Sequence, residues 1–130
     1  MSGTDTRYMA LALQLDVRDE NAVAAAMGEA ARVFGGIDIL VNNAGGFPPK
    51  PALQTSSRDL EKAFKFNVSS AFELTRICVP LMVETAGGGS VINISSIAGH
   101  RPSPCFAAYG TVKSSLSYLT QELAQDFAPK

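Results

Sequence analysis

Tyr109 and Lys113 stand four residues apart, which on a helix puts them one turn apart on a shared face. An ammonium beside a phenol favours the phenolate, the state a tyrosine needs in order to exchange protons near neutral pH. Alone the pair is a weak signal, because a solvated helix face shows the same spacing. Ser96 sharpens it. A hydroxyl 13 residues before Tyr109, at the end of an apolar run, can hold a substrate oxygen by hydrogen bond, although a serine after a strand also forms turns. Asn42-Asn43-Ala44-Gly45 closes another apolar run and reads first as turn chemistry, since Asn and Gly tolerate left-handed backbone. Asn67 interrupts a stretch lined by Phe64, Phe66, Val68 and Phe72, so its amide either faces water or serves a site.

The elements that must position these groups follow from periodicity and punctuation. Tyr8 to Leu15 reads as a strand ended by Asp16-Val17-Arg18-Asp19. Asp19 caps a helix whose Val23, Met27, Ala30, Ala31 and Phe34 recur at helical spacing, and Gly35-Gly36 stop it. The apolar run Ile37 to Val41 is a buried strand, and the proline-bearing Phe47 to Thr55 is loop. Ser56 and Asp59 open a long helical region through Ala86, with Leu60, Phe64, Val68, Phe72, Ile77 and Leu81 on its apolar face and a kink at Pro80. Gly87-Gly88-Gly89 break that helix. Val91 to Ile94 is a third strand, and Val112, Leu116, Leu119, Leu123 and Phe127 mark a last helix closed by Pro129. Strands alternating with helices predict an α/β fold with a parallel sheet. In such sheets ligands gather past the carboxyl ends of the strands, here Asp16, Asn42 to Gly46, and Ser95 to Gly99.

The chain has 130 residues, 46% hydrophobic and 18% charged, with 11 Lys and Arg against 12 Asp and Glu. That is one soluble domain by composition, without the basic run that nucleic acid or an anionic membrane surface would require. No apolar run reaches bilayer length. Two cysteines and a single histidine at no ligand spacing argue against a metal site and for a reducing, cytoplasmic setting.

Taken together the motifs are similar to those of the short-chain dehydrogenase/reductase family. The resemblance lies in LVNNAG at 40–45, FNVSSAF at 66–72, VINISSIAG at 91–99 and YGTVK at 109–113, in the family's order and intervals. It implies hydride transfer between NAD or NADP and a carbonyl or secondary alcohol. Tyr109 then corresponds to the acid/base, Lys113 to the residue that assists it and binds the nicotinamide ribose, Ser96 to the group that positions the reacting oxygen, and Asn67 to a proton relay through water. Asp16 and Val17 match the adenine-contacting pair, and Asn43, Ala44 and Gly45 the strand end along the cofactor. Val112 stands where the family often has Ser.

The resemblance also implies a partial Rossmann-like doubly wound sheet of about three strands, with residues 1–130 as a single partial NAD(P)-binding domain. The family's first βαβ unit, with its TGxxxGxG phosphate loop, has no counterpart, and the match ends with the helix of Tyr109. In the strand order 3-2-1-4-5-6, the strand Tyr8–Leu15 does not neighbour Ile37–Val41. It is therefore expected either to slide against that strand or to be poorly held. Phe47, Pro48, Pro102 and Phe106 are expected to line an apolar pocket for a hydrophobic ketone or alcohol, steroid-like or terpenoid, with His100 and Cys105 incidental. The helices near 68–86 and 107–127 correspond to subunit-pairing helices, which implies a homodimer or homotetramer. The alternative is a non-catalytic fragment that acts at most as an oligomerisation or interaction module.

Overall fold

The computed structural model describes residues 10–128. Asp19 opens α1 (Glu20–Phe34) by accepting from the Asn21 and Ala22 amides, and Gly35 closes it at φ 83°, a conformation that costs little without a Cβ. β1 (Ile39–Asn42) follows. Ser56 and Asp59 exchange hydrogen bonds in a complete capping box that starts α2 (Ser57–Phe64). A π-helical stretch, Lys65–Ser69, then runs without a break into α3 (Ser70–Ala86). After β2 (Ser90–Asn93) and a 3-10 turn at Ile97–Gly99 comes α4 (Ala107–Phe127).

β1 and β2 pair in parallel, Ile39 opposite Ser90 through Asn42 opposite Asn93. The chain is thus a partial α/β layer structure, with two strands among the described residues where three were expected. Tyr8 and Met9 lie outside the described residues, and Ala10 to Leu15 join no ladder. Of the two expected outcomes, sliding against the next strand is corrected, since among the described residues β1 pairs only with β2, and the unpaired Ala10 to Leu15 fit the other, a segment poorly held. A strand needs a neighbour to receive its backbone groups, and apolar residues by themselves supply none. The two observed strands are also displaced from their expected limits, ending at Asn42 and Asn93.

The core is built from small residues as much as from large ones. Ala63, Val68, Ala71, Ala108, Val112 and Leu116 form one cluster where α2, the π stretch and α3 meet α4; Leu40, Cys78 and Met82 form a second beneath β1. The expected apolar face of the 57–86 region is corrected accordingly. Val68 is buried as expected, but Leu60, Phe64 and Phe72 are exposed, and the other buried positions are Ala63, Asn67, Ser70, Ala71, Thr75, Cys78 and Met82. Alanines at the contact let helices approach closely, and close packing rather than side-chain bulk decides which face turns inward. Pro80 lies inside α3, which continues through it. On the far side of the sheet Ile39, Val41, Ile92 and Ile94 are exposed, so both faces of these strands are apolar. That is the pattern of strands made to be covered on two sides.

Candidate active site

Asn67 is 1% exposed, and the π stretch aims it. The wider turn, marked by the Ser70 amide donating to the Lys65 carbonyl, sets one extra residue into the helix. Asn67 Nδ2 donates back to the Ala63 carbonyl at 2.8 Å and across to the Gly46 carbonyl at 3.0 Å, while its Oδ1 accepts from the Gly46 amide at 2.8 Å. This two-way amide pairing pins the strand-end loop after β1 to the helix.

Lys113, on α4, is buried at 4% exposure. Its Nζ donates to the Ile94 carbonyl at 2.9 Å and lies 5.9 Å from the centre of the Tyr109 ring, as the helical spacing predicts. An ammonium has three donors, and among the described residues none of the ion pairs involves Lys113. Burying an amino group is costly unless its donors are bonded, and the Ile94 carbonyl takes one of them. Gly45 is where Asn67 and Lys113 meet: a Cβ there would stand 2.7 Å from Asn67 Oδ1 and 2.9 Å from Lys113 Nζ.

Ser96 reaches the same end of the sheet through backbone contact. A Cβ on Gly110 would meet the Ala98 carbonyl at 2.8 Å, and one on Gly99 the Ser114 amide at 2.8 Å, so the 3-10 turn lies directly on α4. Ser95 Oγ donates to the Lys113 carbonyl at 2.9 Å, and Ser117 Oγ donates to Ser95 at 3.0 Å. Ser96 Oγ accepts from the Ala98 amide at 3.2 Å, which is the turn-forming role; its proton and a second lone pair remain. The Tyr109 ring, half-buried, packs against Phe106 at 6.0 Å between centres, tilted by 54°.

The residues at the other end of the expected cofactor track are arranged differently. Asn43, Ala44 and Gly45 are exposed just beyond β1. The Asp16 carboxylate is gripped by Arg18, whose Nε and Nη2 donate at 2.9 and 2.7 Å. Those bonds hold the carboxyl at about 2, below its ordinary 3.8. The Arg18 guanidinium lies 5.7 Å over the Phe66 ring, which seats the Asp16–Arg18 turn on the π stretch beside Asn67. The expected apolar pocket divides. Pro102 and Phe106 line a cavity of about 440 Å³ with His100, Arg101, Gly110 and Ser114, whereas Phe47 packs against the first core cluster. A second cavity of about 350 Å³ lies between α3, β2 and α4.

Of the four polar side chains expected at the site, Asn67 and Lys113 meet at Gly45 and Lys113 lies beside the Tyr109 ring, while Ser96 makes the turn bond to Ala98; the groups that fix them were not foreseen. Gly46, Ile94 and Ser95 carry the bonds to Asn67 and Lys113, and their signals were adjacency to the named motifs. Asn42 Nδ2 donates to Asn93 Oδ1 at 2.8 Å, and Asn93 Nδ2 to Thr120 Oγ1 at 2.9 Å. These bonds tie both strands to α4 inside the fold.

Comparison with known proteins is consistent throughout. The family model described as short chain dehydrogenase matches residues 3–130. An uncharacterised oxidoreductase of Mycobacterium tuberculosis is 48% identical over 115 residues, 88% of this chain and 44% of that protein. L-2,3-butanediol dehydrogenase of Corynebacterium glutamicum is 40% identical over 116 residues, 89% of this chain and 45% of that protein. A solved structure of 7 alpha-hydroxysteroid dehydrogenase complexed with NADH and 7-oxo glycochenodeoxycholic acid superimposes with a TM-score of 0.87 at 33% identity, covering 92% of this chain and 46% of that one. The chain therefore spans just under half the length of these relatives. Among the described residues no helix is long and apolar enough to cross a membrane.

Proposed function

The chain belongs to the short-chain dehydrogenase family, and on that premise we propose that it carries the proton-transfer half of an NAD(P)-dependent oxidoreductase acting on a secondary alcohol or ketone. One observation carries the reading: Asn67 and Lys113 converge within 3 Å of the Cβ that Gly45 lacks, one helical turn from Tyr109. The exposed backbone of Asn43 to Gly45 fits a bound nicotinamide ribose, with a lysine donor beside it and no side chain in the way. Such a cofactor supplies hydride transfer, which the protein itself does not perform.

In the oxidative direction the Tyr109 phenolate accepts the hydroxyl proton of the alcohol as the carbinol carbon gives up its hydride; in reduction Tyr109 returns that proton to the carbonyl oxygen. The Lys113 ammonium would stabilise the phenolate and hold the nicotinamide ribose. Ser96 donates to the reacting oxygen and so orients it. Asn67, whose Oδ1 keeps one lone pair, would hold a water for the proton relay, and Asp16 and Val17 would hold the adenine end of the cofactor. Residues 1–130 act as a partial NAD(P)-binding domain. The named relatives act on a small diol and on a hydroxysteroid, which supports the secondary alcohol and its ketone as the substrate class, with a hydrophobic member favoured by Pro102 and Phe106. Phe72, Val83 and Tyr118 are exposed on α3 and α4, which supports pairing of subunits through these helices as a homodimer or homotetramer.

Fluorescence titration with NADH and NADPH tests the reading. Saturable binding is expected, weakened by Lys113→Met and kept by Tyr109→Phe, which removes turnover. Absence of saturable binding up to about 1 mM of either nucleotide overturns the enzymatic reading for this chain and leaves the interaction module.

A further inference from the structure

Two loops border the end of the sheet where Tyr109 lies: Gly46 to Thr55 ahead of α2, and Pro102 to Phe106 ahead of α4. Lys50 is bound to both sides of that border. Its amide donates to the Cys105 carbonyl at 2.8 Å, and its Nζ donates to Asp59 Oδ2 at 2.7 Å. The same Oδ2 accepts the Ser56 amide at 3.0 Å, so the anchor point is the capped first turn of α2 and not a loose surface carboxylate. Pro48, Pro49 and Pro51 surround Lys50 and leave its segment few conformations.

The receiving end is unusual. Among the described residues Cys105 is the only non-glycine at positive φ, 67°, a conformation that a Cβ disfavours. Strained backbone persists only where its surroundings over-determine it, and the bond from Lys50 does so here. The next residue is Phe106. Its carbonyl accepts the Gly110 amide at 2.7 Å, and its ring is the one that packs against Tyr109. A continuous line of contacts therefore runs from the α2 cap through Asp59, Lys50, Cys105 and Phe106 to the Tyr109 ring.

We propose that Lys50 is a positioning residue: by tying the Cys105 carbonyl to the α2 cap it sets the placement of Phe106 and, through it, of the Tyr109 ring. Its consequence for catalysis rests on the reading of Tyr109 above; the mechanical link does not. A half-buried ion pair near the surface contributes modestly to stability. The role assigned to this one is geometric, and it is carried by a backbone bond and a side-chain bond on a single residue.

The test uses the whole chain, isotopically labelled and free of nucleotide, as wild type, Lys50→Met and Lys50→Arg. Lys50→Met keeps the stem and the backbone donor and removes the charge. Amide exchange at residue 50 and at Phe106 is expected to accelerate about tenfold or more, and the Tyr109 ring resonances to move. The Leu40 and Ile92 amides should stay as protected as before, and Lys50→Arg should restore both signals. If the Phe106 amide and the Tyr109 ring are unchanged in Lys50→Met, or if Lys50→Arg behaves like Lys50→Met, the proposal is wrong. Should Lys50→Met lose the protected sheet amides as well, Asp59→Asn cuts the same link from its other end, and the same two readouts decide. No nucleotide enters these measurements, so a failed NADH titration leaves the link intact, and a broken link leaves the titration intact.

Discussion

Gly45→Ala and Gly28→Ala are the same chemical change with opposite expected signs. At Gly45 the added methyl would sit 2.7 Å from Asn67 Oδ1 and 2.9 Å from Lys113 Nζ, closer than such atoms approach without movement. Neither partner is free to yield: Asn67 makes three hydrogen bonds in a nearly closed site, and Lys113 is held on the Ile94 carbonyl. Overpacking of this kind costs about 1–3 kcal/mol, and loss of an Asn67 bond to Gly46 adds about 1 kcal/mol. Against this, alanine removes freedom from the unfolded chain and returns about 0.4–1 kcal/mol. The net is a destabilisation of about 1–3 kcal/mol, a fall in the urea midpoint of about 1 M for a slope of about 2 kcal/mol per M.

Gly28 lies within α1 with nothing within 4 Å of its missing Cβ. Alanine there should stabilise by about 0.5–1 kcal/mol. Urea denaturation of the two variants beside the wild type is the assay, with the Asn67 side-chain amide resonances as a local reporter. A Gly45→Ala chain as stable as wild type, with those resonances unmoved, would refute the claim that Asn67 and Lys113 are packed against Gly45. A shared sign for both variants would refute the separation of steric from backbone effects.

Three further outcomes follow from particular contacts. Cys105→Gly should stabilise by up to about 1 kcal/mol, because glycine meets no penalty at positive φ; a lower thermal midpoint would contradict this. Hydrogen bonding from Lys50 holds the Asp59 carboxyl at about 2, below its ordinary 3.8. A folded value below the unfolded one means that its stabilisation is complete above the ordinary value and is lost as pH falls through about 2. Asp59→Asn should therefore flatten the acid limb of the urea-midpoint profile, and an unchanged limb would count against the ion pair. Burial pushes the Cys78 thiol up to about 11 while Cys105 is exposed, so a disulfide exchange reagent should titrate one thiol in the folded chain and two in guanidinium; two reactive thiols in the folded chain would show that Cys78 is accessible.

What could be read in advance was what depends on near neighbours in the chain. The Asp19 cap, the Ser56–Asp59 box and the four-residue step from Tyr109 to Lys113 are local and appear as expected. The strand at Tyr8 to Leu15 depended on a partner that a single segment cannot announce, and among the described residues Ala10 to Leu15 join no ladder. On the 57–86 region Val68 turns inward as expected, but Leu60, Phe64 and Phe72 do not, because they outweigh Ala63 and Ala71 in hydrophobicity whereas the helix contact selects for size. At the site the polar side chains were legible from motif spacing. The close approach at Gly45 and the link from Lys50 to Cys105 were not, since both arise between segments far apart in sequence.

The π stretch at Lys65–Ser69 has a consequence best put in terms of phase. An α-helix turns by about 100° per residue, so one extra residue rotates everything after it by about that angle relative to a regular continuation. α2 and α3 are in this sense one rod with two separate angular origins, and Asn67 sits at the seam between them. Removing Lys65 or Phe66 would bring the two origins into line and swing the Asn67 amide away from Gly46, with Asn67 itself still present. Part of the site is therefore encoded as a count of residues and not as their identities, and a deletion can erase it while leaving the sequence recognisable.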